Sequence, residues 1–175
     1  MEVRHRTDLI EFEFLLSGTL LALDRVVWPE AKGPAKRERR DELWKGTCLE
    51  LFVSRPDSEG YLEMNLSPSG DWNLYSFDSY RTGMRRAEGE VGMHVPLKTA
   101  EPYFRLVGAI RPSSSGGGAT EVEGLLASRE LVFGATAVIE YVNGEREYWA
   151  LTHAGAKPDF HLRSSFTSRL QRPTT

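Results

Sequence analysis

Residues 43–84 read LWKGTCLELFVSRPDSEGYLEMNLSPSGDWNLYSFDSYRTGM. Two runs inside this stretch alternate apolar and polar side chains. Leu49, Leu51 and Val53 oppose Glu50 in the first, and Leu62, Met64 and Leu66 oppose Tyr61, Glu63 and Asn65 in the second. A period of two is the pattern of a β-strand, whose successive side chains point to opposite faces. One face reads as core. The other carries carboxylates and an amide that a plain core does not need, and Trp72, Tyr75, Tyr80 and Arg81 follow within a short distance. That mixture of acid, amide, aromatic ring and guanidinium marks a candidate site for a polar ligand.

Outward from this stretch, strand signals outnumber helix signals. Residues 46–54, 60–67, 71–77, 90–95, 103–110, 120–127, 131–142 and 145–152 are strand-like in length and composition, with turn residues between them. Ile10 to Leu23 reads as a long strand with a bulge or bend at Ser17-Gly18. Helix is scarce; residues 31–43 have room for a turn or two. The expected fold is all-β, a single-domain antiparallel β-sandwich over 1–175, with flexible loops near 29–41 and 112–119. The first loop contains Lys36, Arg37, Arg39 and Arg40, but Glu30, Glu38, Asp41 and Glu42 offset them, so it reads as a solvated loop rather than a nucleic-acid patch.

Asn143-Gly144 is the best hairpin signal. A two-residue turn there sets Val142 opposite Glu145, Val138 opposite Trp149 and Glu140 opposite Glu147. Like charges facing each other are destabilising, so solvent, an arginine such as Arg105 or Arg129, or a bound cation is expected to offset them.

Twenty-two Lys and Arg against 25 Asp and Glu leave a net charge of −3, which draws the chain to neither nucleic acid nor acidic lipid. The single cysteine, Cys48, rules out an intrachain disulfide and fits a reducing compartment. It reads as a small buried hydrophobe. No apolar run approaches the roughly 18 residues of a membrane span, and the start has no export signal. The expectation is a soluble, cytoplasmic protein without cofactor or metal, with its oligomeric state open.

LWKGTCLELFVS, then YLEMNLSPSGDWNLYSFDSYRTGM, then AVIEY…EYWALTHAGAKPDFHLRSSF together resemble the bacterial DOMON-like domains, relatives of the family 9 carbohydrate-binding modules. The likeness runs from about Leu43 to Phe166. It implies an immunoglobulin-like β-sandwich that binds sugars or haem rather than catalysing a reaction. By motif, it carries ligand-binding roles onto Trp44, Glu50, Tyr61, Glu63, Asn65, Trp72, Tyr75, Tyr80 and Arg81, and onto Trp149, His153, Asp159, His161 and Arg163 near the C-terminus. Superfamily members work mostly outside the cytoplasm, and the absence of an export signal is a departure from that pattern.

For a saccharide the chemistry is specific: sugar faces stack on Trp or Tyr, and hydroxyls are read by carboxylates, amides and arginines. Trp44, Trp72 and Trp149 are the stacking candidates; Glu50, Glu63, Asn65 and Arg81 are the hydroxyl readers. The bland alternative is an ion-paired network of Glu50, Glu63 and Arg81 that serves structure or a protein interface. Haem is the other alternative, with Met64, Met84, Met93, His94, His153 and His161 as residues of the right type and no pairing favoured. Met64 falls on the apolar face and is expected in the core. Asp159, His161 and Arg163 share one side of an extended segment, with Phe160 and Leu162 on the other. Hydrolysis by Glu50 and Glu63 is disfavoured here because nearby arginines are expected to keep both acids ionised.

Overall fold

The computed structural model describes residues 1–95, 103–114 and 120–173. Two antiparallel sheets pack face to face as a β-sandwich. The smaller holds β1 (Glu2–His5), β2 (Ile10–Ser17), β7 (Glu90–His94) and β8 (Tyr103–Arg111) in the order β1-β2-β8-β7. The larger is built on β3 (Cys48–Ser54), β4 (Tyr61–Leu66), β5 (Trp72–Phe77), β6 (Arg85–Arg86) and β9 (Glu130–Glu140), in the order β9-β3-β4-β5-β6. β10 (Arg146–Ala150) and β11 (Ser168–Gln171) share the outer edge of β9, pairing with its C-terminal and N-terminal halves respectively.

The alternation in residues 48–77 sets this packing. Leu51 pairs with Met64 and Met64 with Leu74, and all three are fully buried against Ile10, Phe12, Leu106 and Ile110 of the smaller sheet. Burying such a side chain stabilises the fold by about 1.5–3 kcal/mol. Met64 thus packs in the core, as expected, and Cys48 is buried too.

Two stretches differ from the strands expected. Residues 120–127 form a helix, α2 (Glu121–Leu126), closed at its start by a capping box: Thr120 Oγ1 accepts from the Glu123 backbone N–H, and the Glu123 carboxylate accepts from the Thr120 N–H. Its Val122, Leu125 and Leu126 plug the core, a helical spacing that also satisfies a short apolar run read as strand. Ile10–Leu23 splits at Gly18 into β2 and a short helix, α1 (Leu20–Asp24), capped by Thr19. The 29–41 segment is also pinned rather than merely solvated. Lys32 pairs with Asp71 at 2.7 Å, and Arg39 donates to Asn73 Oδ1 at 2.8 Å and to the carbonyls of Leu74 and Ala87. Of the 112–119 loop, residues 115–119 lie outside the described residues.

The β9–β10 hairpin is offset by one residue from the two-residue turn. Tyr141 pairs with Glu145 through a backbone bond of 2.9 Å, and the loop is Val142-Asn143-Gly144 with Gly144 at φ +84°. A type I turn followed by a left-handed glycine makes this three-residue loop. Arg146 therefore lies opposite Glu140 and pairs with it at 3.0 Å, while Tyr148 lies opposite Val138 and Trp149 opposite Ala137. The expected Glu140–Glu147 clash does not exist, and neither Arg105, which pairs with Glu13, nor a cation is needed to relieve it.

Candidate functional site

Every residue of β3 is buried, on both faces of the strand. The inner face meets the smaller sheet. The outer face is covered by two other pieces of chain: the one-turn helix Leu43–Lys45, and residues 152–167 running across the sheet toward β11. Trp44 sets its ring edge-on to Tyr75, with centroids 5.9 Å apart. From the other side Phe160, His161 and Phe166 settle on Phe52, Tyr61 and Phe77. Gly134 on β9 makes room for this crossing, since a Cβ there would stand 3.1 Å from the Phe166 ring.

Between the two covering pieces a cleft of about 420 Å³ opens onto the sheet. Glu50 of β3, Glu63 of β4, Phe77 of β5 and Val138 of β9 form its floor. Around them stand Trp44, Lys45, Arg81, Met84, Arg146, Tyr148, Pro158, Phe160 and His161. Glu50 pairs in register with Asn65, which puts Glu63 at the diagonal position one pleat away. Such diagonal neighbours lie roughly 7–8 Å apart along the sheet.

Glu50 is 3% exposed and accepts from Thr136 Oγ1 at 2.9 Å; its other carboxylate oxygen has no hydrogen-bond partner among the described residues. Desolvation, then the neighbouring Glu63 charge, push its pKa up to about 8 despite the Thr136 bond. Glu63 is 4% exposed and accepts from Asn65 Nδ2 at 2.7 Å. Desolvation raises it to about 7, against the opposing effects of Asn65 and Arg81. Arginine thus does not hold these acids ionised. The Arg81 guanidinium turns instead to Asp159, 3.0 Å away, and Tyr80 Oη donates to the same carboxylate at 2.6 Å. The three-membered ion network expected of Glu50, Glu63 and Arg81 is not formed.

His161 Nε2 stands 3.8 Å from Glu63, but burial lowers the histidine to about 4, with the Arg81 charge adding to the effect, so near neutral pH this is a contact of a neutral imidazole. Its Nδ1 lies 2.7 Å from Tyr61 Oη, which also accepts from the Arg81 backbone N–H at 3.3 Å. Arg81 adopts φ 52°, rare for a residue with a side chain, inside a loop closed by backbone bonds between Asp78, Ser79 and Thr82. The cleft wall is therefore built by tethering residues 159–161 to residues 61 and 80–81.

Of the residues nominated by motif, Trp44, Glu50, Glu63, Arg81 and His161 line the cleft. Tyr61, Asn65, Tyr80 and Asp159 support those residues through the bonds just described. Tyr75 is buried beneath Trp44 and donates to Asp41 at 2.7 Å. Trp72 lies on the inner face, partly buried against the sandwich core with the Arg39 guanidinium 5.3 Å above its ring. Trp149 is 48% exposed on the face away from the cleft, its indole N–H donating to Glu147 at 2.8 Å. His153 is exposed, 6.3 Å from the Phe160 ring, and Arg163 donates to the Arg55 and Ser58 carbonyls. Phe160 and His161 both face the cleft because they sit in a turn; the alternation of an extended segment does not apply. Tyr148 and Phe160 are the aromatic walls that composition alone passed over. The three-residue hairpin was the signal that would have selected Tyr148 over Trp149.

Among the described residues no group of His, Cys, Asp and Glu is arranged to hold a metal ion, and no helix is long and apolar enough to cross a membrane. The fold and cleft define a β-sandwich with an acid-floored pocket on the outer face of one sheet. No family model matches the chain, and neither does any curated protein. Among solved structures, it is similar to a "putative carbohydrate-binding protein" of Bacteroides uniformis, with a TM-score of 0.60 and 13% sequence identity over 95% of this chain and 74% of that one. At that identity the likeness is one of fold.

Proposed function

We propose that this chain is a non-catalytic binding domain of DOMON-like type whose cleft takes a saccharide. The observation that carries this reading is the co-location of Trp44, Tyr148 and Phe160 as apolar walls with Glu50, Glu63 and Arg81 as polar groups in one cleft. Flat rings beside directional polar groups are what sugar recognition requires. The Bacteroides protein of similar fold, itself called carbohydrate-binding, supports it. The raised carboxyls also suit a glycosidase acid, but such enzymes set their two carboxyl groups on either side of the scissile bond. The reading here rests on the aromatic walls of the cleft, which serve binding.

A glycan array followed by calorimetry tests the reading. At least one saccharide is expected to bind, with Trp44→Ala and Tyr148→Ala each weakening it by about 2- to 12-fold, the range that one aromatic contact supplies. Binding unaffected by both substitutions, or no binding across the array, overturns it.

A further inference from the structure

The cleft floor carries two acids that a neutral sugar would leave without a cation. Each cation around it already has a carboxylate partner off the floor: Lys45 pairs with Glu42 at 2.7 Å, Arg146 with Glu140 at 3.0 Å and Arg81 with Asp159 at 3.0 Å. The floor acids have no such partner. Among the described residues Glu50 makes no ion pair, and Glu63 has the Asn65 amide and the neutral His161 beside it but no cation within ion-pair distance. One Glu50 oxygen has no donor among the described residues, and Glu50, 3% exposed, borders the cleft. An ionised carboxyl buried this deeply is costly unless a cation or several donors meet it, so without them it holds its proton. The other titratable groups on this sheet face do not supply one: Cys48 is buried with its thiol held well above its usual range, and Tyr61 and Tyr75 are likewise raised by burial.

We propose that the cleft selects a saccharide bearing a protonated amine, with the ammonium seated between Glu50 and Glu63. This rests on the saccharide reading above and narrows it to amino sugars. Three donors on one ammonium match the open oxygen of Glu50 and the Glu63 oxygen not used by Asn65. Charge-assisted bonds of this kind are about twice as strong as neutral ones. An N-acetyl group at the same position removes the charge and adds bulk; a hydroxyl removes the charge alone. Seating the ammonium favours the ionised acids, which carry protons near neutral pH in the empty cleft, so binding releases protons.

The experiment is calorimetry at about pH 7, where an amine of ordinary basicity is still largely charged. Glucosamine, galactosamine and mannosamine are each compared with their N-acetyl and hydroxyl parents. At least one amino sugar is expected to bind about tenfold or more tightly than both of its parents, a difference of about 1.4 kcal/mol. Its apparent enthalpy should vary between two buffers of unequal protonation enthalpy in the sense of proton release. Glu50→Gln and Glu63→Gln, each isosteric, should abolish the preference while keeping the fold, as circular dichroism reports. The buffer comparison on the unaltered protein stands even if one variant fails to fold. A parent sugar binding as tightly as its amine, or proton uptake instead of release, overturns the proposal and leaves the saccharide reading standing. No binding by any of the nine sugars, with none on the glycan array, overturns both.

Discussion

The two faces of β3, β4 and β5 are almost equally buried and chemically opposite. The inner face, with Leu49, Leu51, Leu62, Met64 and Leu74, is sealed by a second sheet. The outer face, with Glu50, Phe52, Tyr61, Glu63, Asn65 and Tyr75, is sealed by a one-turn helix and an irregular C-terminal segment that leave a cleft between them. A sheet covers a sheet without gaps because both are regular; a loop segment covers only where its own anchors hold it down. On this molecule the same degree of burial therefore goes with a closed core on one side and a cleft on the other.

Substitutions on the two faces should have opposite consequences. Leu51→Ala on the inner face should cost about 2–5 kcal/mol and lower Tm by roughly 5–20 °C in a thermal melt. Glu50→Gln, one residue away and as deeply buried, should lower Tm little or raise it at alkaline pH, since it removes a charge that burial disfavours. A loss as large as that of Leu51→Ala would mean that Glu50 belongs to a structural network after all.

The pH dependence follows from the same carboxyls. Glu50 and Glu63 hold their protons more tightly in the fold than in the open chain, with values of about 8 and about 7 against an ordinary 4.5. Their contribution to stability is complete below about pH 4.5 and is lost as pH rises through about 7 and then about 8. His161, lowered from 6.5 to about 4, works in the opposite sense: its contribution is complete above 6.5 and is lost as pH falls toward 4. Between about pH 6.5 and 8.5 the histidine no longer titrates, so a falling Tm over that window reports the two acids. The double variant Glu50→Gln with Glu63→Gln should flatten the slope, and a flat slope in the unaltered protein would refute the assignment.

Smaller effects test the register. Gly144→Ala should cost about 1–2 kcal/mol, because a left-handed φ burdens any Cβ, and urea midpoints will show it. Trp149→Ala should change stability by less than about 0.5 kcal/mol and leave ligand binding alone, in contrast to Tyr148→Ala. If Trp149 proves the one that matters for binding, the hairpin pairs in the other register.

Much of the fold was legible without coordinates. The period of two in residues 48–66 marks strands with one apolar face, and Leu51, Met64 and Leu66 could be assigned to the core from that alone. The capping box at Thr120 was equally readable, but a short apolar run satisfies helix and strand patterns alike. The lining of the candidate cleft was half legible. Glu50 and Glu63 stood out because acids on a buried strand require a reason, whereas Phe160 and Tyr148 looked like ordinary aromatics.

What the sequence determined by itself is which side of each strand is apolar, because side-chain alternation is a local property of the backbone. It also settled that these strands carry two acids whose burial would need explaining. The three-dimensional packing alone decided that the polar side becomes a cleft, that Arg81 turns to Asp159 instead of the acids, and that a one-residue choice at Gly144 points Tyr148 into the cleft and Trp149 away from it. The first two of those outcomes depend on contacts between segments far apart in the chain, such as Arg81 with Asp159 and Tyr61 with His161. No local pattern records which distant partner a side chain will meet.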